Sequence, residues 1–418
     1  MGSSKNIVGF FGRNKAVFVM GLTALFIAAT ADLVAGLFLG SMEAYIVVIP
    51  GMMVLVYSAI GMRGNIFGAM GSRLGTSMHM GTFKVSLKKG TVLRANVESA
   101  IGLSFLVSLA MGVIGWAITA IFDFGDGDNV SIASFVFISM LGGLLAGGVL
   151  LGINLLIAWT GFRRNWDVDN ITAPLIAAAG DIVTMPMLFI CAWVVVNYGG
   201  DHQGAIIILT LLLILATALF LVYIFGRKIM LGRADEARRI ISQSTPILLM
   251  CLMLDIAAGV IIENKTDMLF EGYLVLIILM PAFLNEGNAL SGMLTARLSS
   301  MLHLGIVRPS KWPDKNAREN FLINYVLAFI TYGYIGVIAF VAAMLLGGTG
   351  DISFLKVMAI VLISGMIMTL AVNRLSYYAA IAAVRFDLDP DDHSIPITSS
   401  STDLISAAVL ISVIILLV

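Results

Sequence analysis

Long apolar stretches, punctuated by short polar ones, run from residue 14 to Val418. A helix needs about 20 apolar residues to cross the hydrocarbon of a bilayer. By that measure the chain predicts spans near 14–40, 45–80, 95–122, 131–160, 171–197, 204–226, 243–262, 270–303, 321–346, 354–383 and 395–418, eleven in all. Two of them, 45–80 and 270–303, exceed one simple crossing and hold Met62-Arg63-Gly64-Asn65 and Asn285-Glu286-Gly287-Asn288. A Gly-Asn pair inside so apolar a segment predicts a break or kink, and exposed backbone at that depth is tolerated only against protein or a cavity. The spacings Gly64-x-x-x-Gly68 and Gly71-x-x-x-Gly75 read equally as helix contact faces.

Composition agrees with the pattern. Of 418 residues, 59% are hydrophobic and 12% charged, and the mean hydropathy is +1.00. So few charges cannot cover a water-soluble protein of this length, so lipid is the natural solvent. Met1 to Lys15 is short and polar, so no cleavable signal is expected. Cys191 and Cys251 lie in apolar runs without a C-x-x-C partner, which argues against disulfide or thiolate–metal roles.

Charge alternates between the loops. One set carries Arg13 and Lys15; Lys84, Lys88, Lys89 and Arg94; Arg163 and Arg164; Arg227, Lys228, Arg233, Arg238 and Arg239; Arg308, Lys311, Lys315 and Arg318; and Arg385. The other set is almost free of bases, Lys265 being its single one. The positive-inside rule places the first set in the cytoplasm, with the N-terminus inside and Val418 outside. A multi-pass protein of the plasma membrane is expected.

The chain also repeats itself. Asp32 to Gly36 matches Asp255 to Gly259; Gly64-Asn65, Arg73-Leu74 and His79 match Gly287-Asn288, Arg297-Leu298 and His303; Arg163, Asp167, Asp169, Pro174 and Asp181 match Arg385, Asp389, Asp391, Pro396 and Asp403. These are rare residues in one order, not coincident leucines. Five spans per copy would invert the second copy, but the extra span at 204–226 restores its sense. The expected fold is therefore an all-α membrane protein of two parallel five-helix repeats, 1–200 and 233–418, joined by a linking helix within 201–232. A pseudo-two-fold along the membrane normal would relate them, so that a monomer imitates a dimer.

Acids within apolar spans are the candidate chemistry. An Asp at the bilayer centre costs roughly 2.5–3.5 kcal/mol on insertion scales, and Asp32, Asp181, Asp255 and Asp403 all fall in or near such spans. Asp181 follows small residues, Ala177 to Gly180, and Asp403 follows hydroxyls, Thr398 to Thr402. Both surroundings suit a carboxylate facing a watery cavity. Asp32 and Asp255, nearer a span's end, read either as structure or vestibule lining or as part of an ion path. Pairing with Arg63, Arg73, Arg297 or Arg374 is the bland alternative for all four. Carboxylates, hydroxyls and carbonyls on a two-fold suit a largely hydrated Mg²⁺, and soft ligands are missing from the motifs. The acidic stretches Asp123, Asp126, Asp128 and Asp387 to Asp392 read as solvated loops or as cation-concentrating mouths.

These motifs resemble the membrane domain of the MgtE magnesium transporter family and its eukaryotic solute-carrier relatives. The residues carrying the resemblance are Met62 to Thr76, Gly287-Asn288 through Ser300, and the two segments Pro174 to Asp181 and Pro396 to Asp403. The resemblance implies that Asp181 with the Ala177 carbonyl, and Asp403 with that of Ser399, hold the ion, with Asn65 and Asn288 beside it. Asp32, Asp255 and Thr402 are secondary candidates. In that family regulatory cytosolic domains precede the first span; none does here, so gating by such domains is not expected. The expected partners are the bilayer and divalent cations, Mg²⁺ above all, with Na⁺ as an open coupling ion, and no nucleic acid. Channel-like and Na⁺-coupled transport both stand at this point. So does a carrier of a small organic solute using the aspartates for a coupling ion. An intramembrane enzyme is disfavoured: there is no H-E-x-x-H, and Ala179-Gly180-Asp181 lacks a further protease glycine.

Overall fold

The computed structural model describes residues 15–124, 130–164, 168–200, 202–226, 236–266, 268–269, 273–346, 352–386 and 395–418. Its long helices are α1 (Lys15–Ser41), α2 (Met52–His79), α3 (Val92–Phe122), α4 (Ile132–Arg164), α5 (Val168–Tyr198), α6 (Gln203–Gly226), α7 (Glu236–Glu263), α8 (Leu274–His303), α9 (Lys315–Leu345), α10 (Phe354–Phe386) and α11 (Ile395–Leu417). All eleven are long and apolar enough to cross a membrane, in the order the hydropathy pattern predicts. Asp126, Asp128 and Asp387 to Asp392 lie outside the described residues.

The second span departs from expectation in two ways. Its long apolar run divides at Pro50-Gly51, where Gly51 has φ +81°; a short helix, Glu43–Ile46, precedes the turn and α2 follows it. Past that turn, α2 runs unbroken through Gly64-Asn65 and α8 through Gly287-Asn288, so the predicted interruptions are absent. The physical reason is a comparison of costs. A glycine weakens a helix by about 1 kcal/mol, whereas a backbone group left unpaired in hydrocarbon costs several. The asparagine side chains do not compete for their own backbone either, because both reach across to α11.

The turn at Gly51 is held from the other half of the molecule. The Gly51 and Met53 backbone N–H groups donate to Glu263 Oε1 and Oε2, at 2.7 and 2.9 Å. A carboxylate at the last residue of α7 thus satisfies the start of α2, where the helix dipole favours negative charge.

Packing shows the duplication. Helix α1 lies against α8 and α9 of the second set, and α7 against α2 and α3 of the first. Within the sets, α2 packs on α3, α4 and α5 as α8 packs on α9, α10 and α11. Each first helix is therefore exchanged across the two-fold. Gly36 and Gly259 make the exchange possible: a Cβ on Gly36 would strike the Ile278 carbonyl, and one on Gly259 the Val54 backbone. Small residues permit such approach between membrane helices, whose association rests on packing. Helix α6 has no counterpart. It sits on α3 and α4 and leaves Leu211, Leu215, Leu219 and Val222 exposed, as a lipid-facing linker requires.

Candidate ion site at the repeat interface

The four membrane aspartates, far apart in sequence, converge where α1, α5, α7 and α11 meet α2 and α8. Asp32, Asp181 and Asp255 are 1%, 4% and 0% exposed, and Asp403 is half-buried. Asp32 and Asp181 are close enough for their carboxyls to share a hydrogen bond. Asp181 lies within electrostatic range of Asp403, and Asp403 of Asp255. Unscreened like charges repel strongly in a low-dielectric interior, so this cluster demands cations or protons. Among the described residues no Lys or Arg forms an ion pair with any of the four. Arg63 donates instead to Ser108 at 2.6 Å, Arg73 to Asn96 at 2.8 Å, and Arg374 to the Leu370 carbonyl at 3.2 Å.

The amides divide the work unequally. Asn288 Nδ2 donates to Asp403 Oδ1 at 2.8 Å, but its counterpart Asn65 donates to Ser400 Oγ at 3.2 Å and not to Asp181. Asn285 Nδ2 donates to Asp32 Oδ2 at 2.9 Å. The residue equivalent to Asn285 is Met62, which has no amide, and neither oxygen of Asp255 has a hydrogen-bond partner. Asp255 lies instead directly over the Gly61 backbone, where a Cβ would collide with its carboxylate. Two halves of similar backbone thus present different donors to equivalent acids.

Ala177 and Ser399 are half-buried, one helical turn before Asp181 and Asp403. Thr402 is buried with its hydroxyl unpartnered, and its methyl faces Gly287 of α8. Asn285 and Tyr57 escaped the sequence reading as site groups, whereas Ser400 was read among the hydroxyls that precede Asp403. Ser400 stands between Asn65 and Asp255; its place three residues before Asp403 was the available signal. Asn285 belongs to the repeated motif but has no partner in the first copy, so repetition did not single it out. Tyr57 is buried, its hydroxyl unpartnered and close to both Asp181 and Asp403; nothing in its sequence neighbourhood marks it. Beside the site, a small cleft lined by Asn65, Arg73, Ser244 and Pro396 opens between α2, α7 and α11.

Among the described residues no three acidic, histidine or cysteine groups converge tightly enough to hold a bare metal ion. The arrangement suits a cation that keeps water around it and meets the carboxylates in pairs.

A duplicated bundle of membrane-crossing helices, with acids gathered at the seam of its halves, defines a polytopic integral membrane protein. Comparison narrows the class. The profile of MgtE, a divalent cation transporter family, matches residues 56–191 and 280–413, which take in α2 to α5 and then most of α8 to α11. The chain belongs to the MgtE family. It is similar to solute carrier family 41 member 2 of Mus musculus, 22% identical over 381 residues covering 85% of this chain and 62% of the relative. It is likewise similar to solute carrier family 41 member 3 of Rattus norvegicus, 23% identical over 378 residues covering 86% of this chain and 78% of the relative. The chain spans less than two thirds of the length of the member 2 relatives from mouse and Xenopus laevis.

Proposed function

We propose that this protein moves a divalent cation, Mg²⁺, across the plasma membrane along the seam between residues 1–200 and 233–418. Asp181 and Asp403 are its principal ligands, and Asn65, Asn288 and the carbonyls of Ala177 and Ser399 are part of the same path. It is a transporter and not an enzyme, and it acts as a channel or in exchange with Na⁺. One observation carries the reading: four aspartates, three buried and one half-buried, meet at the interface with no basic side chain among the described residues to neutralise them. A structural role would pair each acid with an arginine, and Arg63 and Arg73 donate to Ser108 and Asn96. A carrier of organic solutes would want aromatic or cationic anchors, and among the described residues the aromatic group beside these acids is Tyr57. The alternating loop charges put the N-terminus inside and Val418 outside. Uptake into vesicles containing the purified chain tests the reading: Mg²⁺ should enter, with dependence on an opposing Na⁺ gradient separating exchanger from channel. Vesicles no more permeable to Mg²⁺ than protein-free ones would contradict it.

A further inference from the structure

Next to the aspartates, the repeat contains an inversion of charge. Arg63 of α2 and Glu286 of α8 occupy equivalent places, one residue before the repeated glycine. Both are buried, at 0% and 2% exposure. Their surroundings are equivalent too. Asn96 and Asn320, with Gly112 and Gly336, set the register of α3 against α9 and make Ser108 the counterpart of Tyr332. Arg63 and Ser108 lie against Gly143, and the Tyr332 ring lies against the matching Gly365.

In the first half this pocket has its own tethered cation. The Arg63 guanidinium donates to Ser108 Oγ at 2.6 Å. In the second half it has a buried carboxyl with no counter-charge among the described residues: neither Glu286 oxygen has a hydrogen-bond partner, and the Tyr332 hydroxyl has none either. The Thr331 hydroxyl also borders the carboxylate, and it bonds the Leu327 carbonyl at 2.9 Å. A lone ionised carboxylate is among the most costly groups to bury, so this one carries its charge only with a cation against it and otherwise keeps its proton. The Glu286 carboxylate, with the Thr331 hydroxyl beside it and Tyr332 within its electrostatic reach, offers hard oxygen donors to a small ion of single charge, the charge Arg63 supplies on the other side.

We propose that Glu286, Thr331 and Tyr332 form a site for an alkali-metal cation, sodium in size and charge, within the second repeat and separate from the aspartate seam. Residues 286 and 288 are about 200° apart around α8, so Glu286 faces α9 while Asn288 faces Asp403. Occupancy of the pocket thus bears on the segment that carries Asn285 and Asn288. Whether the seam carries Mg²⁺ does not enter the argument.

The test is thermal melting of the purified full chain, with Na⁺ replaced by N-methyl-D-glucamine at constant ionic strength and without divalent ions. The parent should gain melting temperature saturably with Na⁺, and Glu286→Gln should not respond. Thr331→Val, which keeps shape but loses one oxygen, should need about tenfold more Na⁺ for half the effect, and it serves if Glu286→Gln fails to fold. A parent indifferent to Na⁺, or a Glu286→Gln or Thr331→Val protein with the parent's response, would overturn the proposal. None of these readings depends on transport.

Discussion

Single side chains determine what the seam can do, and most of the asymmetry lies at that scale. Asn285 donates to Asp32 in a site whose equivalent has Met62. Asn285→Ala leaves a buried carboxyl without its donor, so stability should fall by about 1–3 kcal/mol, measured as a shift in the unfolding midpoint. Met62→Asn places the missing amide opposite Asp255, and it should recover the first-half donor pattern without that loss. Tyr57 makes no hydrogen bond through its hydroxyl, so Tyr57→Phe should change stability by no more than about 0.5 kcal/mol. The hydroxyl lies within electrostatic range of Asp181 and Asp403, so the same variant should alter the Mg²⁺ concentration for half-maximal uptake. Much of this level was hidden in sequence. Asp181 and Asp403 stood out because an acid in an apolar span is costly wherever it points. Tyr57 matters only through where neighbouring helices bring it, and a hydroxyl in an apolar run carries no such cost to betray it.

At the scale of helices, the hydropathy pattern identified all eleven spans but misjudged how α2 begins and continues. Chain breaks follow conformational need: Pro50 and the positive φ of Gly51 end one segment, while Gly64 stays helical because lipid leaves its backbone no other partner. The Glu263 cap was invisible in sequence, since it joins residues more than two hundred positions apart. Glu263→Gln keeps the shape but weakens two charge-assisted bonds, and should cost about 1–2 kcal/mol in an unfolding titration. Gly36 and Gly259 were visible as a repeated pair, though their purpose was not. Each marks the crossing of an exchanged helix, so Gly259→Ala should destabilise by roughly 1–3 kcal/mol through overpacking against Val54. Gly64→Ala, which meets open space, should be tolerated.

The whole molecule imitates a symmetric dimer with the two halves tied by α6. Exchange of α1 and α7 makes each half incomplete without the other, and it brings Asp32 to Asn285 and Asp255 to Gly61 across the seam. Parallel repeats imply that equivalent loops share a face. Single cysteines placed at Lys88 and Lys311 should both react with an impermeant reagent from the cytoplasmic side, and one at Asn264 only from outside. Labelling of Lys88 and Lys311 positions from opposite sides would refute the parallel arrangement. The central claim is that Asp181 and Asp403 hold the transported ion. The most direct measurement is Mg²⁺ flux in proteoliposomes carrying Asp181→Asn or Asp403→Asn, each shown by size-exclusion and melting to be folded. Flux should fall at least about tenfold in either variant; parental flux in both would contradict the claim.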